Sequence, residues 1–102
     1  MNTDALIAHA RARFDHAVAK RILKEKYEAK MLFAYRGGMF RAGPELLTLS
    51  HACPVEDDIV ILDLYENPVK VSVLELQHLA QDRWQEQMNA WLIEFEEASK
   101  KR

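Results

Sequence analysis

From Val73 onward the large apolar residues recur at helical intervals, at Val73, Leu76, Ala80, Trp84, Met88, Trp91, Phe95 and Ala98, with no Gly or Pro among them. Ser72-Val73-Leu74-Glu75 stands before them with capping-box spacing: the serine hydroxyl can accept from the backbone N–H three residues on, and Glu75 can reach back to the serine N–H. Val71 and Leu76 occupy the positions of a hydrophobic staple, which fixes the angle at which the chain enters the helix. The pattern predicts a helix of about eight turns, roughly 42 Å long. Such a helix exceeds the core of a small domain, so it is expected to protrude, packing partly on its own domain and partly on something else.

Earlier in the chain the periodicity changes several times. A first helix is predicted from Thr3, which can cap it, with Asp4 in the first turn where a negative charge suits the helix dipole. Leu6, Ile7, Ala10, Phe14, Ala17 and Val18 form one apolar face, expected to turn inward. Beyond Val18 the stripe drifts, with Ile22 on one edge and Leu23 and Tyr27 nearly opposite, so the later turns are expected to touch two neighbours. Met31-Leu32-Phe33-Ala34-Tyr35 is then a compact apolar run, followed by Arg36-Gly37-Gly38 and Met39-Phe40-Arg41. Gly-Gly between two such runs predicts a hairpin, with strands at about 31–36 and 39–42.

Gly43-Pro44-Glu45 opens a short helix, because proline in the first turn lacks an N–H that would be unpaired anyway. Leu46, Leu47 and Leu49 supply its buried side, and it ends near Ala52, before Pro54. Ile59-Val60-Ile61-Leu62-Asp63-Leu64-Tyr65 is a strand by its β-branched run. Glu66-Asn67-Pro68 breaks it, and Val69-Lys70-Val71 returns as a short strand running into the Ser72 cap. The fold class is α+β: a long N-terminal helix, a β-hairpin, a short helix, a second β-hairpin and a long C-terminal helix, in one domain spanning residues 1–102.

Composition narrows the function classes only a little. A chain of 102 residues with 49% hydrophobic and 29% charged residues can build one modest core and is not a disordered tail. The single cysteine excludes an internal disulfide and, with no signal peptide in sight, favours a reducing, cytoplasmic setting. No apolar run approaches the ~20 residues of a membrane span, so a soluble protein with no membrane partner is expected. Net charge is −2, but residues 1–43 hold nine Lys/Arg against four Asp/Glu, and residues 44–102 hold five against twelve. Three arrangements fit that asymmetry: the basic first helix lying on the acidic last one, copies associating head to tail, or the basic half meeting a polyanion.

Candidate chemistry is sparse. His51 and Cys53 near Asp57 and Asp58 form the one cluster that suggests a nucleophile or a metal, yet neither a base with an orienting third group nor four zinc ligands can be counted. Cys53 reads as a small buried hydrophobe, and His9 and His16 as solvated side chains two turns apart. No catalytic residue, cofactor or metal is expected. Arg36-Gly37-Gly38 and Gly43-Pro44 with Arg41 could present N–H groups to a phosphate, but no nucleotide fingerprint accompanies them.

Two surfaces remain. Trp84, Met88, Trp91, Leu92 and Phe95 on the last helix are what a helix-mediated interface would show, with Ile93 widening the apolar band. Arg11, Arg13, Lys20, Arg21 and Lys24 on the first helix are candidate nucleic-acid contacts, although an isoelectric point near 6.1 is far from a dedicated binder's.

The stretches Phe14 to Met31, Gly37-Gly38-Met39-Phe40 through Pro44-Glu45-Leu46, Tyr65-Glu66-Asn67-Pro68-Val69-Lys70-Val71, and Trp84 to Glu97 resemble short proteins of T-even-like tailed phages of cyanobacteria. The resemblance implies a small accessory or virion-assembly protein, of the virion or prohead core, in the host cytoplasm or the virion, where long helices and self-association would serve. It carries over no functional residue. The expectation is therefore a non-enzymatic interaction protein whose last helix mediates homo-oligomerisation or docking to another assembly protein; the alternative is a nucleic-acid-binding accessory factor using the basic first helix.

Overall fold

The computed structural model describes residues 3–100. In order along the chain it forms α1 (Thr3–Lys30), β1 (Leu32–Tyr35), β2 (Gly38–Arg41), α2 (Pro44–Ala52), β3 (Asp58–Leu62), β4 (Pro68–Ser72) and α3 (Val73–Lys100). This is the α+β order the sequence predicts. Thr3, expected to cap α1, is itself helical, the first of the described residues to be so.

The strands make two separate antiparallel pairs, β1 with β2 and β3 with β4. In the first, Phe33 faces Phe40 and Tyr35 faces Gly38. The loop is therefore Arg36-Gly37, one residue earlier than Gly-Gly, and both residues take positive φ (49° and 81°), as a two-residue primed turn requires. Gly38 instead lies buried in β2, where an added Cβ would stand 2.9 Å from Val69 Cγ2 and 3.0 Å from the Phe40 ring. Its glycine serves the close approach of the two hairpins.

β3 also ends earlier than its β-branched run suggests, at Leu62 rather than Tyr65. Asp63 stops it. The buried carboxylate accepts from the backbone N–H groups of Tyr65 and Asn67 (both 2.9 Å) and, across to the other hairpin, Met39 (3.2 Å). Leu64 N–H returns the link by donating to the Met39 carbonyl at 2.8 Å. Three peptide donors stabilise the ionised form, so the Asp63 carboxyl is held below the usual carboxylate range.

Met31, Phe33, Phe40, Ala42, Val71, Leu76 and Ala80 form the core, with Leu46, Leu47, Ile59, Ile61, Trp84 and Met88 packed around them. Val71 and Leu76 are both fully buried there, as a staple demands. Ser72 Oγ accepts from Glu75 N–H at 3.4 Å. The reciprocal half of the capping box is relayed: Ser72 N–H donates to the Tyr35 hydroxyl at 3.3 Å, and that hydroxyl donates to Glu75 Oε2. Arg36, stacked over the Tyr35 ring, reaches Glu75 Oε2 at 3.4 Å as well. The turn of the first hairpin thus helps hold the start of α3.

α2 packs beside the first half of α3, and α1 runs antiparallel beside the second half. The molecule is a rod, 66 × 25 × 21 Å, with a radius of gyration of 19.3 Å where a compact domain of this length has ~13 Å. Much of that length comes from α1. It lies against α3 from Tyr27 back to His16, which shares a small cavity with Ala98 and Ser99. Thr3 to Asp15 run on past that level, every residue exposed. The expectation that Leu6, Ile7, Ala10, Phe14, Ala17 and Val18 turn inward is therefore overturned: all are exposed except Val18, which is half-buried. Leu23 and Tyr27 face α3, and the Leu6–Phe14 stripe sits roughly a third of a turn away from that line, beyond the reach of the partner helix.

Candidate interface on the helical pair

Where α1 crosses α3, one aromatic and one carboxylate organise the contact. Tyr27, only 2% exposed, stacks on Trp91 with ring centroids 5.9 Å apart and planes 8° from parallel. Its hydroxyl donates to Glu94 Oε1 at 2.6 Å, and Lys26 Nζ reaches the same oxygen at 2.7 Å. Lys26 and Lys30 also lie 5.3 and 5.1 Å from the Tyr27 ring centre. The hydrogen bonds from Lys26 and Tyr27 hold the Glu94 carboxyl below its ordinary range; hydrogen bonding to that carboxylate raises both the Lys26 ammonium and the Tyr27 phenol. The basic first helix does lie against the acidic last one, through this single ion pair among the described residues; the other α1 pairs, Arg21–Glu25 and Lys24–Glu28, stay within the helix.

Beside this contact α1 and α3 leave an open groove of about 290 Å³ between them. Leu23, Met88, Trp91, Leu92 and Phe95 line it, with Lys20 and Lys24 on the α1 wall. The interface candidates therefore divide by depth. Trp84 and Met88 lean on the core, Trp91 is held by Tyr27, and Leu92 (54% exposed) and Phe95 (39% exposed) face outward, as does Ile93. Leu23 and Tyr27 belong to the same site; their i, i+4 spacing, off the main stripe of the first helix, is the signal that marks them.

The nucleic-acid candidates do not form one stripe. Arg13, Lys20 and Lys24 repeat along the side of α1 that borders the groove, whereas Arg11 and Arg21 face away from it. Lys20 and Lys24 thus sit in the same groove as the aromatic candidates, so the two candidate surfaces meet.

Elsewhere the candidate chemistry disperses. His51 turns its Nδ1 to Gln77 Nε2 at 2.6 Å, and Cys53 is half-buried. No group of three or more His, Cys, Asp or Glu side chains among the described residues could hold a metal. Arg36 is engaged by Glu75 and the Lys70 carbonyl. Gly43, Pro44 and Arg41 border an open depression of about 720 Å³, together with Leu46, Leu49, Leu62 and Leu64; Glu45 and Asp63 give it carboxylates. No described helix is long and apolar enough to cross a membrane. Compared with known proteins, the chain matches no family model, no curated sequence and no solved structure at a significant level.

Proposed function

We propose that the chain is a non-enzymatic interaction protein whose C-terminal helix, together with the α1 turns beside it, docks onto another protein surface in an assembly. The observation that carries this reading is the open apolar groove along the α1–α3 pair, where Leu92 and Phe95 are exposed beside Met88 and Trp91. Single exposed apolar residues are ordinary; a contiguous set rimmed by lysines is what a partner-binding patch shows. The resemblance to cyanophage proteins favours a virion or prohead setting, with the protein made in the host cytoplasm.

Light scattering at tens of micromolar protein, alone and with candidate assembly proteins, tests this. The variant Leu92→Glu/Phe95→Glu removes the apolar rim without touching the Tyr27–Trp91 stack, so helical circular dichroism should be unchanged while association is lost. Association that survives the double variant refutes the reading. Tight, salt-sensitive binding to DNA or RNA that falls on neutralising Arg13, Lys20 and Lys24 would establish the nucleic-acid alternative instead.

A further inference from the structure

We infer that the outer edge of β3 is a strand-addition site, and that its occupant is an extended apolar segment of a partner protein laid into the open depression between β3, β2 and α2. The surface is distinct from the α1–α3 groove, and the inference goes beyond the docking reading above.

Hydrogen-bond phase fixes which main-chain groups are free. Asp63 N–H donates to the Asn67 carbonyl and Val73 N–H to the Asp57 carbonyl, so Ile59 and Ile61, in the same phase, exchange their bonds with Val71 and Val69. Asp58, Val60 and Leu62 turn their N–H and C=O groups the other way, where they meet no protein partner among the described residues. Leu64 continues that outward phase, and its N–H donates to the Met39 carbonyl at 2.8 Å, the point where β2 reaches this edge. Past that point the strands part. Arg41, the next outward residue of β2, and Leu62 both border the depression of about 720 Å³ without bonding to each other.

The opposite edge of the same hairpin is closed at every outward position. Pro68 has no N–H to offer, the Lys70 carbonyl accepts from Arg36 at 3.4 Å, and Ser72 N–H donates to the Tyr35 hydroxyl at 3.3 Å. β3 has no such guard beyond Asp58 at its start: Val60 and Leu62 are 65% and 64% exposed. One edge is sealed against added strands and the other is left open beside a cleft.

The open edge dictates the chemistry of what fills it. Outward N–H and C=O groups on alternate residues match the main chain of an extended segment, whereas a helix has already satisfied its own. About five residues of such a segment, at roughly 3.4 Å each, cover the length of β3. Side chains on one of its faces lie level with Val60 and Leu62, and those on the other meet Phe40, Leu46 and Leu49 across the depression, so apolar and β-branched residues suit both. The segment comes from another protein. With β3 on one side and β2 and α2 on the other, the cleft admits a single strand, and all four strands of this chain are already committed to hairpins.

The test is selection of a displayed random heptapeptide library on the full chain, followed by fluorescence anisotropy with the selected peptides made synthetically. Leu62→Pro deletes one outward N–H and breaks no bond within the hairpin, because Leu62 stands opposite Pro68 in a non-bonded pair. It should weaken peptide binding at least about tenfold, while Leu62→Val, which keeps the donor, should stay within about threefold. Circular dichroism verifies that both variants keep the fold. Amide hydrogen exchange on the wild type is independent of any variant: saturating peptide should slow exchange at Val60 and Leu62 at least about tenfold. Peptides that bind without slowing those amides overturn the inference, as does a selection that enriches none. Binding indifferent to Leu62→Pro but lost in Leu92→Glu/Phe95→Glu overturns it and places the peptide in the α1–α3 groove, in favour of the docking reading. A wild-type dimer that Leu62→Pro dissociates overturns it too, by making a second copy's β3 the occupant of the edge.

Discussion

Tyr35→Phe removes one oxygen and tests the join between the first hairpin and α3. The hydroxyl accepts from Ser72 N–H at 3.3 Å and donates to Glu75, so its loss leaves the first turn of α3 with the Ser72 Oγ cap alone. Helix-capping interactions contribute ~1 kcal/mol, and a hydrogen bond to a carboxylate contributes more, but Glu75 is solvent-exposed and that part is discounted. A net loss of about 1–2 kcal/mol follows, or about 5–10 °C in Tm for a chain of this length. Tyr65→Phe is the control: that side chain is 71% exposed, and its Tm should stay within about 2 °C of wild type. Thermal and urea unfolding, followed by circular dichroism, measure both. The alkaline limb adds an independent readout. Burial first, and Glu75 second, raise the Tyr35 phenol above its ordinary value, so the fold favours the neutral form. That contribution is complete below about pH 10 and is lost as pH rises through the higher folded value. Tyr35→Phe should shallow the alkaline loss without abolishing it, because Tyr27 is raised as well. A Tyr35→Phe Tm within about 1 °C of wild type, with an unchanged alkaline slope, would show that the hydroxyl has no part in the cap.

At the acid end the sign reverses. Asp63 and Glu94 are both depressed, so their stabilisation is present above the ordinary carboxylate range and is lost as pH falls through the folded values; Asp63→Asn should lower stability at neutral pH and shallow the acid limb of a pH–urea titration. Gly38→Ala should cost ~1–3 kcal/mol, since its methyl meets Val69 Cγ2 and the buried Phe40 ring, and equilibrium urea unfolding reads it directly. A Gly38→Ala chain as stable as wild type would mean the hairpins separate easily.

Much of the architecture was legible because local signals agreed with one another. The β-branched run at Ile59–Leu62, Pro44 after Gly43, and the Ser72–Glu75 spacing each named one element, and each element formed. What the sequence left obscure was set by distance in space. Nothing near Gly38 in the chain announces that Val69 lies against it, so the Gly-Gly pair points to a turn one residue later than the Arg36-Gly37 turn that forms. The Asp63 carboxylate ended a strand by capturing backbone donors from two hairpins, an effect invisible to β propensity. The Leu6–Phe14 face looked like core because amphipathic periodicity records what a helix can bury, not whether a neighbour is long enough to cover it. At the groove, the α3 aromatics were readable from their stripe, while Lys20, Lys24 and Leu23 joined them only through the antiparallel packing of α1.

Ser72 closes β4 and Val73 opens α3, with no connecting residue between them. Mechanically, that junction is a welded elbow. A flexible linker would absorb small rotations, whereas here a reorientation of the second hairpin is carried straight into a stiff arm of roughly 42 Å. A tilt of about 10° at the elbow would sweep the far end through about 7 Å, more than the ~5.4 Å pitch of one helical turn. The Tyr27–Trp91 stack, far along the arm, acts as a cross-brace against such bending. Force or binding applied to the hairpins would therefore be felt at the tip as a displacement, so the two ends of the rod are geared to one another.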